Sequence, residues 1–317
     1  MSKSVAGLII GISLVFLACT GSGPATETAN REIARSETDS VANLKNTIKT
    51  VDPFFEPMGE PKPGDWLAAY RETGQTFEEY LTSDPTLPIA GRRTIYIMPI
   101  GKFTQQQSRV IKAASEYIES FYGLPVKSLP SRKVGAAIAE NDYRMVDYPQ
   151  HRQVRTGYIL HSILQPALPG DAAALIAFTD EDLYPDTSMY FVFGQASLEN
   201  RVGVWSLFRL DDLADYDKFM RRTLKISVHE MGHMFGMRHC TKYRCVMSGT
   251  NHLEETDSRP IDACPECMAK VCWFTKTEPS ARYKRLYDYC VRNRMKTEAD
   301  EFRKKMDAVS KNRSFPE

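Results

Sequence analysis

Apolar positions in the middle of the chain follow two spacings, and each spacing predicts one kind of element. Short runs rich in β-branched and aromatic residues, closed by proline, glycine or acidic residues, predict strands buried in a sheet. Such runs are RRTIYIMPIG (92–101), PVKSL (125–129), ALIAFT (174–179), and MYFVFGQAS (189–197) and RVGVWSLFR (201–209) in tight succession. Apolar residues at helical spacing predict a helix over 104–122, and 142–165 and 216–236 are also predicted as helical.

The alternation of these strands and helices predicts an α/β fold. Helix and crossover lengths of this kind give a mixed, mostly parallel sheet. We expect the helix over 216–236 to lie against that sheet, and a shorter helix within TFEEYLTSDP to end near Pro85.

The pattern changes at both ends of the chain. Residues 1–19 end in VAGLIIGISLVFLA (5–18), fourteen uncharged residues, and Cys19, a run too short to span a bilayer and typical of a signal peptide. Residues 20–50 are polar and are predicted to be a flexible tether, followed by an N-terminal extension over 51–90. The main domain is expected over 91–280, and the charged segment 281–317 is predicted to be a helical tail packed on the body.

The residues before and including Cys19, FLAC, resemble the lipobox of bacterial lipoproteins. That resemblance implies lipidation of Cys19 and a membrane-anchored, extracytoplasmic location. An ordinary secretory signal or an uncleaved N-terminal anchor is the alternative.

Composition narrows the possible partners of the folded part. The 317-residue chain is 42% hydrophobic and 26% charged, values typical of a soluble globular protein. Its formal net charge is +1, so the charge balance gives no reason to expect a nucleic-acid partner.

The segment HEMGHMFGMRH, residues 229–239, carries the candidate chemistry. His229 and His233 are four residues apart, so a helix places both imidazoles on one face. Glu230 stands one residue further round, and Gly236 can end the helix in the left-handed conformation that returns His239 to the same site. Three neutral imidazoles and one open position are the ligand set of catalytic zinc.

Four cysteines follow at metal-binding spacing. Cys240 and Cys245 form a C-x4-C pair, and Cys264 and Cys267 form a C-x-x-C pair, together a closed tetrahedral set for structural zinc. Two disulfides are the alternative in an exported protein, and a redox role for CPEC is a further one. Cys272 and Cys290 either pair or remain buried thiols, and His151, His161 and His252 are expected to be surface or core residues.

HEMGHMFGMRHC, CVM and RPIDACPEC together resemble the archaemetzincin (archaelysin) family of metzincin-type zinc peptidases, with similarity over about residues 75–275. The spacer between Met247 and Cys264 is one residue shorter than the family pattern, a difference that a loop can absorb. The resemblance implies a metzincin-like mixed sheet above an active-site zinc helix, and a C-terminal region that carries a four-cysteine zinc site. It implies His229, His233 and His239 as catalytic zinc ligands, Glu230 as general base, the four cysteines as ligands of a second zinc, and Met247 as the Met-turn methionine.

The expected function is therefore hydrolysis of peptide bonds by a zinc-activated water, with two zinc ions in a monomeric chain. An edge strand within MYFVFGQAS is expected to hold an extended peptide or protein substrate by strand addition. The alternative is a membrane-tethered, zinc-stabilised binding protein without turnover, which would share the metal sites but not the chemistry.

Overall fold

The computed structural model describes residues 24–135, 138–147, 149–197, 199–212 and 214–312. Two compact units divide the chain, Met1–Val41 and Ala42–Glu317. The predicted signal peptide over 1–19, with Cys19, lies outside the described residues. Within them, no helix combines the length and apolar character that a membrane crossing requires.

A five-stranded sheet forms the centre of the larger unit. In chain order its strands are β1 (Thr94–Ile100), β2 (Val126–Ser128), β5 (Ala172–Thr179), β7 (Gly194–Ser197) and β8 (Val202–Ser206). Their spatial order is β2-β1-β5-β8-β7, with every pairing parallel except the antiparallel pair β7–β8. All eight residues of the central strand β5 are buried, since the sheet is covered on both faces. The predicted α/β class with a mixed, mostly parallel sheet is confirmed.

The helical prediction over 142–165 is wrong for its first half. β3 (Tyr143–Asp147) and β4 (Gln150–Arg155) form an antiparallel hairpin, and β6 (Asp182–Tyr184) pairs with β4 to complete a second, three-stranded sheet. Pro149 stops a helix at this point because it lacks an amide hydrogen. The chain becomes helical only afterwards, in α5 (Thr156–Tyr158) and a π-helical turn over Ile159–Leu164.

The predicted tether over 20–50 is also wrong for the residues that the structure describes, because they form the helix α1 (Pro24–Val51). Proline occurs only at its first residue, where a helix tolerates it, and no glycine interrupts it. Leu44, Ile48 and Val51 recur at helical spacing, and Leu44 and Val51 are buried. The polar composition suggested a solvated linker, but two residues of this narrow apolar stripe are buried in the folded protein.

The N-terminal extension is joined to the main domain by direct contacts. It contains the short helices α2 (Trp66–Ala69) and α3 (Phe77–Leu81), the latter opened by a capping box between Thr76 and Glu79. Tyr80 is fully buried and its hydroxyl donates to the Phe235 carbonyl at 2.6 Å. The extension therefore packs at the end of the helix that carries the histidines.

That helix is α6 (Tyr216–Met234), and it lies between the sheet and α4 (Gln105–Tyr122). Trp205 of β8 donates from its indole to the Ile226 carbonyl at 2.9 Å. On the other side the Tyr122 hydroxyl donates to the Val228 carbonyl at 2.7 Å. Both donors are fully buried, so α6 is held on two sides just before His229.

The remaining helices follow α6 and complete the C-terminal part. They are α7 (Leu253–Ser258), α8 (Pro265–Thr275), α9 (Pro279–Arg292) and α10 (Lys296–Asn312). Asp262, buried before α8, accepts from Arg282 at 3.2 Å and from Lys305 at 2.9 Å. The last two helices thereby fix the loop that leads into Cys264 and Cys267.

Candidate metal centre

The helix α6 brings His229 and His233 together as the spacing predicts. The Nδ1 of His229 lies 2.8 Å from the Val246 carbonyl, and that of His233 lies 2.7 Å from the Met237 carbonyl. A carbonyl oxygen can only accept, so both Nδ1 atoms carry the hydrogen and both Nε2 atoms present lone pairs. These Nε2 atoms face each other at 3.1 Å.

Gly236 makes the turn that returns the chain to this pair. It adopts φ +76°, and its amide donates to the His233 carbonyl at 2.8 Å, while the Met237 amide donates to Gly232 at 3.0 Å. After the turn the ring centroid of His239 lies 5.2 Å from that of His229 and 4.9 Å from that of His233. The structure thus assembles all three predicted imidazoles.

Replacing Gly236 by alanine is expected to destabilise the fold by about 1–3 kcal/mol. A Cβ there would lie 2.6 Å from the Pro85 Cβ, in addition to the strain of the left-handed backbone. Urea denaturation measures the loss, and Gly170→Ala is the matched control because a Cβ at Gly170 meets nothing within 4 Å. Equal stability of the two variants would contradict the proposed turn.

The three imidazoles fit zinc by the chemistry of their donors. Their ligating nitrogens all lie within 4.8 Å of one another. Burial lowers the pKa of His229 well below its usual value and lowers that of His239, and the neighbouring imidazoles add to both effects. Neutral rings with converging lone pairs repel one another without a cation, so the arrangement suits a metal that binds nitrogen.

Glu72 is a contact of the site that the sequence analysis missed. Its two carboxylate oxygens lie 3.0 and 2.9 Å from the Nδ1 of His239, and Trp66 packs edge-on against the same ring with centroids 5.1 Å apart. A carboxylate that holds Nδ1–H directs Nε2 toward the other two histidines. No sequence motif links Glu72 to His239, because the two are separated by 167 positions.

Glu230 lies in the wall of a cavity of about 350 Å³ that also contains the three histidines. Burial raises the pKa of its carboxyl group, and His233 opposes that shift. Gly194 of β7 lies beside it, since a Cβ at Gly194 would stand 3.3 Å from the Glu230 Cγ. The carboxylate is therefore close to the histidines and to the edge of the sheet.

Met247 packs directly against the helix between the two histidines. It is 1% exposed, and a Cβ on Gly232 would lie only 2.5 Å from its sulfur. Gly232 is a second residue that the sequence analysis missed, and its missing side chain admits the methionine. Met247 therefore lies against α6 at Gly232, between His229 and His233, and its role as the Met-turn methionine stays a prediction.

Four sulfur atoms form the second cluster. Cys240, Cys245, Cys264 and Cys267 are buried, and their sulfurs lie within 4.8 Å of one another. The Cys240 and Cys264 sulfurs are 3.6 Å apart, and the cysteines are free, so the disulfide alternative is not formed. The Cys245 sulfur accepts from the amides of Cys264 at 3.2 Å and Met247 at 3.4 Å. Such bonds stabilise the thiolate, the form that binds zinc, against burial, which raises the pKa of the Cys245 thiol.

The other two cysteines stay apart from this cluster. Cys272 and Cys290 are free and buried, and they do not pair with each other. Burial raises the pKa of each thiol to about 12, so both remain protonated. They provide matched controls for the four clustered cysteines.

The remaining histidines have structural partners. His151 lies 2.8 Å from an Asp182 oxygen and stacks on Phe208, and exposed His161 lies 3.4 Å from the Gln165 side chain. His252, expected to be a surface or core residue, has a ring nitrogen within 4.8 Å of carboxylate oxygens of Asp65 and Glu255. Its Nδ1 accepts from the Glu255 amide at 3.2 Å, and it caps α7.

Comparison with known proteins relates this chain to a family of peptidases. Residues 171–272 match the family model described as Peptidase family M54. The chain is 34% identical to Archaemetzincin-2 of Mus musculus over 253 residues, which cover 69% of this chain and 70% of that protein. It is 33% identical to an archaemetzincin of Thermococcus kodakarensis over 184 residues, covering 56% of this chain and 95% of that one. The crystal structure of an archaemetzincin from Methanopyrus kandleri aligns with a TM-score of 0.48 at 28% identity, covering 58% of this chain and 96% of that one. The chain belongs to the archaemetzincin family and is a zinc metallopeptidase.

Proposed function

We propose that this peptidase cleaves peptide bonds with Glu230 as its general base, at a zinc ion held by His229, His233 and His239. The observation that carries the proposal is the convergence of three imidazole nitrogens beside one carboxylate in a single cavity. A complete set of these four residues favours turnover over the alternative of a binding protein without catalysis.

Zinc bound here would supply a Lewis acid for the scissile carbonyl and for the attacking water. The protein's own part is proton transfer and positioning. Glu230 takes a proton from the water as it attacks and returns that proton to the leaving amine. The hydrogen bonds from Nδ1 of His229 and His233 to backbone carbonyls hold both rings in the required tautomer.

The strand β7 is the element proposed to hold the substrate. It is the last strand of the five-stranded sheet and pairs with β8 on one side. An extended peptide can add to the other side through main-chain hydrogen bonds. Gly194, at the start of β7, would place such a peptide next to Glu230.

The four cysteines are proposed to bind a second, structural zinc that supports the first. Cys240 follows His239 directly, and the Cys240 amide donates to the Met247 carbonyl at 2.8 Å. One closed sulfur site thereby fixes the third histidine and the methionine beneath the metal.

A mass-spectrometric digest of a peptide library tests this function directly. The zinc-loaded protein is expected to cleave peptides, to lose activity when a chelator removes the metal, and to regain it when zinc is restored. A zinc-loaded protein that cleaves no member of the library would refute peptide hydrolysis as its function.

Replacing Glu72 by glutamine is expected to weaken zinc binding at the histidine site by about 10- to 100-fold. The amide is a poorer acceptor for the His239 Nδ1–H, so the ring is less firmly oriented. Competition with a chromophoric chelator measures the affinity, and Glu60→Gln in the same extension is the exposed control. Unchanged affinity in Glu72→Gln would show that the contact does not orient the ligand.

The location of the protein is proposed from the N-terminal sequence. We infer that the protein is exported, that it carries a lipid anchor at Cys19, and that it is a monomer. Metabolic labelling with palmitate is expected to mark the wild type and not Cys19→Ala. Equal labelling of the two would exclude lipidation at this residue.

A further inference from the structure

One part of the catalytic cavity is positively charged. It begins one helical turn before His229 and is lined by Lys225, Ile226, Val246, Thr250, Thr256 and Arg259, here called the Lys225 pocket. Of the described residues that line the whole cavity, Glu230 is the only carboxylate, and it is assigned to proton transfer. The pocket thus combines two cations with apolar and hydroxyl groups.

Lys225 has a charge without a carboxylate of its own. Its side chain is buried, and its Nζ donates to the carbonyls of Thr256 at 2.9 Å and Asp257 at 3.1 Å, which leaves one N–H. Burial lowers its pKa to about 8, so the ammonium form prevails at neutral pH.

The carboxylates near Lys225 are bonded to other cations. Asp257 accepts from Arg222 at 2.8 and 2.6 Å. Glu298 accepts from Arg221 at 2.6 and 3.3 Å. Among the described residues, neither carboxylate forms an ion pair with Lys225. The ammonium of Lys225 donates hydrogen bonds only to neutral carbonyls and is favoured from a distance by Asp257 and Glu298, so an incoming anion in direct contact would favour it further.

Arg259, the second cation of the pocket, forms an ion pair with Glu255. One of its amino groups donates to Glu255 at 2.9 Å, and its buried Nε has no hydrogen-bond partner. The Glu255 carboxylate is already shared with the amides of Trp66 at 3.1 Å and Asn251 at 2.7 Å. The pair therefore leaves the ammonium of Lys225 as the uncompensated charge.

We propose that the Lys225 pocket binds a carboxylate group of the substrate, so that the peptidase prefers an acidic residue next to the cleaved bond. The inference rests on the proposed peptide hydrolysis and adds the substrate class. The carboxylate comes either from an Asp or Glu side chain or from the C-terminus of a short peptide, and both present the same chemistry to Lys225.

Matched peptides distinguish these sources. One peptide sequence is made with Glu, Gln or Leu at each position flanking the cleaved bond, and each as a free acid and as a C-terminal amide. With the zinc-loaded full chain, kcat/KM is expected to be at least about tenfold higher for Glu than for Gln at one flanking position. A tenfold loss on amidation, with Glu and Gln equal, would assign the carboxylate to the C-terminus instead.

Variants then assign the preference to Lys225. Lys225→Met is expected to bring the Glu-to-Gln ratio close to one, and Lys225→Arg to retain it. Lys270→Met is the matched control, because Lys270 is equally buried and its Nζ donates to the Gln75 carbonyl at 2.5 Å, outside this cavity.

Negative results would overturn either the carboxylate pocket alone or the proposed peptide hydrolysis. Cleavage with equal rates for Glu and Gln, and for acid and amide, in the wild type overturns the carboxylate pocket and leaves peptide hydrolysis intact. A uniform loss for all peptides in Lys225→Met, with the ratio retained, also overturns it and makes Lys225 a support of α7. Absence of any cleavage refutes the proposed function itself.

Discussion

Replacing Glu230 by glutamine is expected to lower kcat by about 10²- to 10⁴-fold, with the fold and the zinc content unchanged. Glutamine has almost the same shape, so it leaves the packing beside Gly194 undisturbed. It cannot accept the proton of the attacking water, and that single loss removes both proton transfers. Initial rates on one peptide substrate give the effect, and metal analysis of the same sample shows that the three histidines still bind zinc.

The control for this variant is Glu254→Gln, which makes the same chemical change on an exposed residue of α7. We expect its kcat to match the wild type. Wild-type turnover in Glu230→Gln would assign the base to another group and leave Glu230 a structural role. A loss of zinc in the same variant would instead show that Glu230 supports the metal.

Replacing Cys245 by alanine is expected to abolish the second zinc site and to unfold much of the C-terminal part. Structural zinc contributes about 10–16 kcal/mol to folding in zinc-finger peptides. The whole stability of a typical domain is only about 5–15 kcal/mol. The loss of even part of the zinc contribution is therefore expected to remove most of the free energy of unfolding. We also expect His239 to lose its fixed position, because its neighbour Cys240 no longer binds zinc.

Cys290→Ala is the matched comparison for Cys245→Ala, because both cysteines are fully buried and only Cys245 belongs to the cluster. Among the described residues, Cys290 belongs to no metal cluster and forms no disulfide. We therefore expect Cys290→Ala to lower the free energy of unfolding by about 1 kcal/mol and to retain two zinc ions per chain. Zinc counting and thermal unfolding by circular dichroism measure both variants. Equal zinc content in the two proteins would reject the four-cysteine site.

The sequence predicted the site residues that are close together in the chain. The four-residue spacing of His229 and His233 fixes one helix face, and Gly236 supplies the backbone geometry that returns His239. The strands β1, β5 and β8 were equally legible, because strands buried on both faces are continuously apolar, whereas the predicted strand over 189–197 is a strand only over Gly194–Ser197. Local pattern and observed structure agree for these elements, whose defining residues are close together in the sequence.

Two features that the sequence did not reveal depend on partners elsewhere in the chain, and two others are local elements with a misleading composition. Glu72 is an ordinary surface glutamate until the fold brings it to His239, and Gly232 has meaning only once Met247 is packed on it. The helical α1 was missed because its stripe of apolar residues is narrow and its composition resembles that of a linker. The β3–β4 hairpin was missed because polar residues, including the buried Gln153, occupy strand positions.

The N-terminal extension binds to residues that are made much later. The Trp66 amide donates to Glu255 and the Phe77 amide donates to Glu266, each across 189 positions. Closing loops of this length is slow compared with forming local helices. During synthesis these two hydrogen bonds can form only after α7 and α8 have been made, whereas the bond from Tyr80 to Phe235 can form earlier.

Trp66 packs against His239 and is itself held by Glu255, so the histidine site has all of its supporting contacts only when α7 has been made. A nascent chain that ends soon after His239 can form the contact between Glu72 and His239 but lacks the bond that holds Trp66. We therefore expect zinc affinity at this site, and with it proteolytic activity, to reach its full value only late in synthesis.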